Sequence, residues 1–94
     1  MREGFLVMIE QIIKRDGRTA PFELDKIANA IFGAAQSVGG QDYEMAHELA
    51  EQVEKELEKT VKEKIPTVEQ IQDTVETVLI DSGHARTAKK YILY

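Results

Sequence analysis

Cysteine is absent from all 94 residues, which excludes disulfides, zinc ribbons, iron–sulfur clusters and any thiol or thiyl chemistry carried by this chain itself. No apolar run approaches the roughly 20 residues that a membrane span needs. The opening Met1-Arg2-Glu3-Gly4-Phe5-Leu6-Val7-Met8 has too short an apolar stretch for a signal peptide, so a cytoplasmic protein is expected. The two histidines, His47 and His84, lie far apart, and neither has the i, i+4 partner of a helical metal site. Neither common form of glycine-rich phosphate loop is present, and Ser37 and Ser82 have no recognisable base beside them. A chain this short cannot form a barrel or a doubly wound sheet. Catalysis therefore has no foothold in the sequence.

Apolar residues make up 43% of the chain and charged residues 31%, the composition of a folded soluble domain and not of a disordered segment. The net charge of −5 is unevenly spread. Residues 42–81 hold twelve acids against four lysines, whereas the remainder carries eight Lys or Arg against five acids. The basic surplus gathers at Lys14, Arg15, Arg18 and Lys26, with Arg86, Lys89 and Lys90 near the far end. A small basic patch on an acidic body argues against general nucleic-acid binding, which needs a broad positive face to displace many counterions. It suits a compact anion.

From Ile9 to Ile13 the chain is apolar and β-branched, and an extended pattern resumes from Thr19 to Phe22. Between them Asp16-Gly17 is the strongest short-range hairpin signal, predicting a primed turn. Leu24, Ile27, Ala28, Ile31, Ala34, Ala35 and Val38 then recur at three- and four-residue spacing, predicting a first helix that ends near Gly39-Gly40. A longer helix is expected from Asp42 to about Glu63, with Tyr43, Ala46, Ala50, Val53, Leu57 and Val61 on one seam. Pro66 ends that segment. Thr67-Val68-Glu69-Gln70 has the capping-box form and should start a third helix with Val68, Ile71, Val75, Val78 and Leu79 buried. Gly83 is placed to end it, and Ala85, Ala88, Tyr91 and Ile92 suggest a short fourth helix.

One cluster asks for a chemical reading. Lys14 and Arg15 precede the turn, and Lys26 falls in the first turn of the first helix, where a cation faces the positive end of the helix dipole. A local ion pair with Asp25 or Glu23 would relieve it, and so would a bound phosphate. Ile12, Phe22, Ile27 and Ile71 read as core residues whose edge could also hold a flat base. An apolar slot beside a basic rim is the minimal design for a nucleotide site.

Ile13-Lys14-Arg15-Asp16-Gly17-Arg18 followed by Phe22-Glu23-Leu24-Asp25-Lys26-Ile27 resembles the signature of the ATP-cone, the regulatory nucleotide-binding domain at the N-terminus of many ribonucleotide reductases. Pro66 to Glu76 and Ala88 to Tyr94 resemble its later blocks in the same order. The likeness spans roughly residues 9–94, leaving 1–8 as an N-terminal extension. It implies an α+β, mainly α, fold in which an N-terminal β-hairpin caps a four-helix bundle. It also implies ATP or dATP as an allosteric ligand, with Mg²⁺ as an ion that the triphosphate can carry.

On that resemblance Lys14 and Arg15 would hold phosphates with Lys26 assisting, while Ile12, Ile27 and Ile71 would clamp the adenine. Thr67 and Gln72 would meet the sugar or phosphates. Many family members place a Glu after the turn to accept from the adenine amino group; here Ala20 and Pro21 stand there, and Glu23 or backbone carbonyls are the substitute acceptors. The family's closing Tyr is commonly followed by Arg, whereas this chain stops at Tyr94, as expected of a domain cut from something longer.

The implied partners are the catalytic domain of a reductase and, in a nucleotide-dependent way, further copies of the chain, with neither membrane nor nucleic acid. The rival readings are the nucleotide-sensing module of a transcriptional regulator of reductase genes and a helical interaction domain using the acidic second helix.

Overall fold

The computed structural model describes residues 9–61 and 65–91. Its elements run in the order β1 (Gln11–Ile13), β2 (Thr19–Pro21), α1 (Leu24–Ser37), α2 (Tyr43–Val61), α3 (Val68–Asp81) and α4 (Ala85–Lys90). The fold is therefore a hairpin followed by four helices. The expected helical continuation to Glu63, and the contribution of Ile92, lie outside the described residues.

The two strands pair antiparallel with Ile12 opposite Ala20 and Ile13 opposite Thr19, and the Phe22 amide donates to the Glu10 carbonyl at 2.9 Å to extend the ribbon. The turn departs from the primed form that Asp16-Gly17 predicts. The Lys14 amide donates to the Arg18 carbonyl at 2.7 Å and the Gly17 amide to the Lys14 carbonyl at 2.9 Å, so the loop is the three residues Arg15, Asp16 and Gly17. Gly17, at φ +91°, takes the left-handed position that such a loop needs after its first turn. The longer loop wins because Asp16 caps it: its carboxylate accepts from the Arg18 amide at 3.1 Å and from Arg18 Nε at 2.7 Å.

A strand ribbon this short is unstable alone, and it is held in two ways. Alternation turns Ile12, 2% exposed, into the core, with Ala20 and Phe22 packed partly buried against the same cluster. On its other edge β1 pairs in parallel with the segment before α3, through a bridge between Ile13 and Thr67 and a 2.9 Å hydrogen bond from the Ile13 amide to the Pro66 carbonyl.

The helices form a closed ring in which α1 packs on α2, α2 on α3, α3 on α4 and α4 on α1. The molecule measures 38 × 35 × 19 Å, and its short dimension fits two helix layers at the usual spacing of about 8–10 Å. Ile31, Leu57, Ile71 and Leu79 are among the largest fully buried side chains; burying each contributes about 1.5–3 kcal/mol. The α2 seam contains Leu49 and lacks Tyr43, which is 38% exposed. Tyr43 sits at the first residue of α2, where it leans edge-on against Phe32 at 5.3 Å and donates to Asn29 Oδ1 at 3.0 Å on α1. Its hydroxyl gains a partner there that the core could not provide. Val78 is half-buried and Ala85 exposed, so the α3 and α4 stripes are narrower than their periodicity suggests.

The helix ends follow local chemistry. Asp42 Oδ1 accepts the Met45 amide at 3.0 Å at the start of α2. Thr67 and Gln70 complete the capping box of α3: Thr67 Oγ1 accepts the Gln70 amide at 3.1 Å, and Gln70 Oε1 accepts the Thr67 amide at 2.9 Å. Gly83, at φ +88°, closes α3; its amide donates to Ile80 and that of His84 to Leu79, the pair of hydrogen bonds of a Schellman end.

Candidate functional site

The pairing of the second edge of β1 brings the hairpin tip over the first turns of α3, although Arg15 and Gln72 are 57 positions apart in sequence. Between tip and helix lies an open groove of about 190 Å³ lined by Lys14, Arg15, Asp16 and Val68. Sites for whole small molecules commonly enclose about 300–1,000 Å³, so a groove of this size suits part of a ligand and not the whole of one.

Charge in the groove is set by how the three cations of the hairpin tip, Lys14, Arg15 and Arg18, are used. Arg18 is engaged with Asp16. Hydrogen bonds from the Arg18 amide and then its side chain hold the Asp16 carboxyl below its ordinary range. Arg15 Nη2 donates to Gln72 Oε1 at 3.2 Å. Arginine carries five donors, so this contact leaves most of the guanidinium available to an anion. The start of α3 adds the positive end of its dipole beside these side chains. A groove with two cations and a helix start on its rim, and Val68 in its wall, is suited to phosphate oxygens with apolar surface alongside.

The structure brings together Lys14, Arg15, Thr67 and Gln72 of the expected site. Thr67 Oγ1 already accepts from the α3 backbone, and its remaining donor capacity is what it can offer a ligand. Ile12, Ile27 and Ile71 are 2%, 2% and 1% exposed, so they form an apolar layer in the core and present no open face. Lys26 is exposed on α1 and is not among the described residues lining the groove. Glu23 is exposed and is the N-cap of α1 by its backbone, with no side-chain capping bond. Glu23 follows β2 (Thr19–Pro21) and precedes α1, at the end of the ribbon away from the tip.

Two groove residues were not singled out from sequence. Val68 precedes Gln72 by four positions and so shares its helix face, a spacing that could have flagged it. Asp16 reads in the sequence as a turn residue alone. Among the described residues no group of three or more His, Asp or Glu is arranged to hold a metal ion, and no helix is long and apolar enough to cross a membrane.

Comparison with known proteins accounts for this arrangement. The model of the ATP cone domain matches residues 10–94. The chain is 46% identical over 92 residues to a vitamin B12-dependent ribonucleoside-diphosphate reductase of Thermoplasma acidophilum, a match covering 93% of this chain and 12% of that protein. It is 37% identical over 83 residues to an anaerobic ribonucleoside-triphosphate reductase of Haemophilus influenzae, covering 88% and 12%. With the ribonucleoside-diphosphate reductase subunit alpha of Treponema pallidum it shares 36% identity over 88 residues, covering 88% and 10%. The chain thus spans about a tenth of the length of these relatives. A hairpin docked on a ring of four helices, a basic tip over a helix start, and a family match across nearly all of the sequence lead to one conclusion: this chain belongs to the ATP-cone family of regulatory domains.

Proposed function

We propose that this domain binds ATP or dATP and that its occupancy controls the overall activity of a ribonucleotide reductase. The observation that carries the reading is the convergence of Lys14, Arg15 and the start of α3 on one groove. The phosphates lie at the tip, held by Lys14 and Arg15 with Thr67 and Gln72 beside them, and Lys26 contributes from α1. The base extends along the ribbon toward Glu23, which accepts from the adenine amino group, and is gripped by Ile12, Ile27 and Ile71. Those three side chains are closed together in the core, so insertion of a base parts the hairpin from α1 and α3. That movement gives occupancy a mechanical consequence, because a ligand shifts an equilibrium only through its different affinity for two states.

The domain senses and does not catalyse; the partner is the catalytic part of a cytoplasmic reductase, and nucleotide-dependent self-association is a second output. Mg²⁺ enters with the triphosphate and is held by its oxygens.

Calorimetric titration of the chain with ATP and with dATP, each with and without Mg²⁺, tests the reading. Saturable binding of at least one of them is expected. No binding of either, or a salt-sensitive mobility shift with duplex DNA in its place, would overturn it.

A further inference from the structure

We propose that Gln72 is a positioning residue for phosphate recognition, acting through Arg15; the inference rests on the reading that the groove takes the phosphate end of a nucleotide. Arg15 opens the three-residue loop and is exposed, so its long side chain has many orientations to lose on binding. One of them is selected by the 3.2 Å hydrogen bond from Nη2 to Gln72 Oε1. The acceptor must be the amide oxygen, since a guanidinium has only donors to give.

The frame behind that acceptor is rigid. Gln72 lies on α3 one turn beyond Val68, which lines the same groove, and the start of α3 is fixed by its capping box and by the bond from Ile13 to Pro66. The neutrality of the acceptor matters as well. An amide orients the guanidinium while leaving its charge uncancelled for an anion, whereas a carboxylate at the same place would form the ion pair itself. Gln72 thus holds the arginine over the groove with its other N–H groups and full charge unspent.

The test is calorimetry of the whole chain with ATP, ADP and AMP at fixed ionic strength. The variants are Gln72→Met, which keeps length and removes the acceptor, Gln72→Glu, Arg15→Ala and the double variant Arg15→Ala/Gln72→Met. Gln72→Met should weaken ATP about three- to tenfold, the effect of one hydrogen bond, and leave AMP within about twofold of the parent. Gln72→Glu should weaken ATP more than Gln72→Met does. In the Arg15→Ala background Gln72→Met should add nothing.

An equal loss for ATP, ADP and AMP, additive losses in the double variant, or a Gln72→Glu protein that binds like the parent would overturn the proposal. ATP binding weakened by Arg15→Ala and untouched by Gln72→Met overturns this inference alone. A parent chain that binds no ATP overturns it together with the function proposed above.

Discussion

The amide of Ile13 donates to the carbonyl of Pro66 at 2.9 Å, joining the first strand to the residue before the α3 cap. This contact gives β1 a partner on each edge and makes the hairpin tip and the α3 start parts of one frame. The groove between them depends on it, since it sets the β1 end of the hairpin beside the helix that carries Gln72.

Thr67 stands at the centre of that frame, and Thr67→Ala should cost about 0.5–2 kcal/mol of stability, the usual effect of losing a side-chain cap. For a domain of this size the midpoint of thermal unfolding should fall by roughly 4–8 °C per kcal/mol. An unchanged melting curve would mean that the capping box contributes nothing.

Gly17 should resist substitution for a purely conformational reason. A Cβ there would meet nothing within 4 Å, yet its φ of +91° costs a residue with a side chain about 1–2 kcal/mol. Gly17→Ala should therefore destabilise by that amount in a denaturant titration, and Gly17→Asn by less, because Asn tolerates the left-handed region better. Equal stability of all three proteins would show that the loop relaxes to another turn.

Lys14→Ala and Arg15→Ala should weaken ATP binding, each by about 1.5–3 kcal/mol as expected for charged hydrogen bonds. Affinity of the parent should also fall as ionic strength rises, since the groove is open and screened by salt. Calorimetry at two salt concentrations checks both points, and unaltered affinity in the double variant would reject the phosphate assignment.

Glu54 supplies a pH-dependent prediction remote from the site. Partial burial first, and then the charges of Glu58 and Glu51, raise its carboxyl above the ordinary value of 4.5. A group that holds its proton more tightly when folded opposes folding once ionised, and the penalty is relieved as pH falls through its raised pKa. Glu54→Gln should therefore stabilise the chain at pH 7, by about 0.2–0.5 kcal/mol for each like-charge contact removed. The gain should fade as the pH falls toward 4.5 and be absent below it. Denaturant titrations at neutral and acid pH read the difference; a gain that persists in acid would point to packing and not charge.

Much of this was legible locally. The α3 stripe and the Thr67–Gln70 capping box need only residues three or four apart, and both form from the sequence segments that encode them. The basic tip is equally local, because Lys14 and Arg15 adjoin the turn. Tyr43 was misplaced on the α2 seam because periodicity records polarity and cannot know that Asn29 and Phe32 offer its ring and hydroxyl a better seat. Asp16-Gly17 fits a two-residue primed turn and also a three-residue loop with Gly in its left-handed position, and the bonds between Asp16 and Arg18 favour the longer one.

The sequence by itself determined the elements, their ends and the chemical character of the hairpin tip, since each follows from near-neighbour hydrogen bonding and the spacing of apolar side chains. Only the tertiary structure decided which helix start the tip faces and which isoleucines are sealed away from it. The Lys26 position suggested α1, but the edge of β1 had backbone groups to satisfy and the Pro66–Thr67 segment met them. A backbone pairing between residues more than fifty positions apart leaves no periodic trace along the chain, so the site it assembles becomes visible only once the chain has folded.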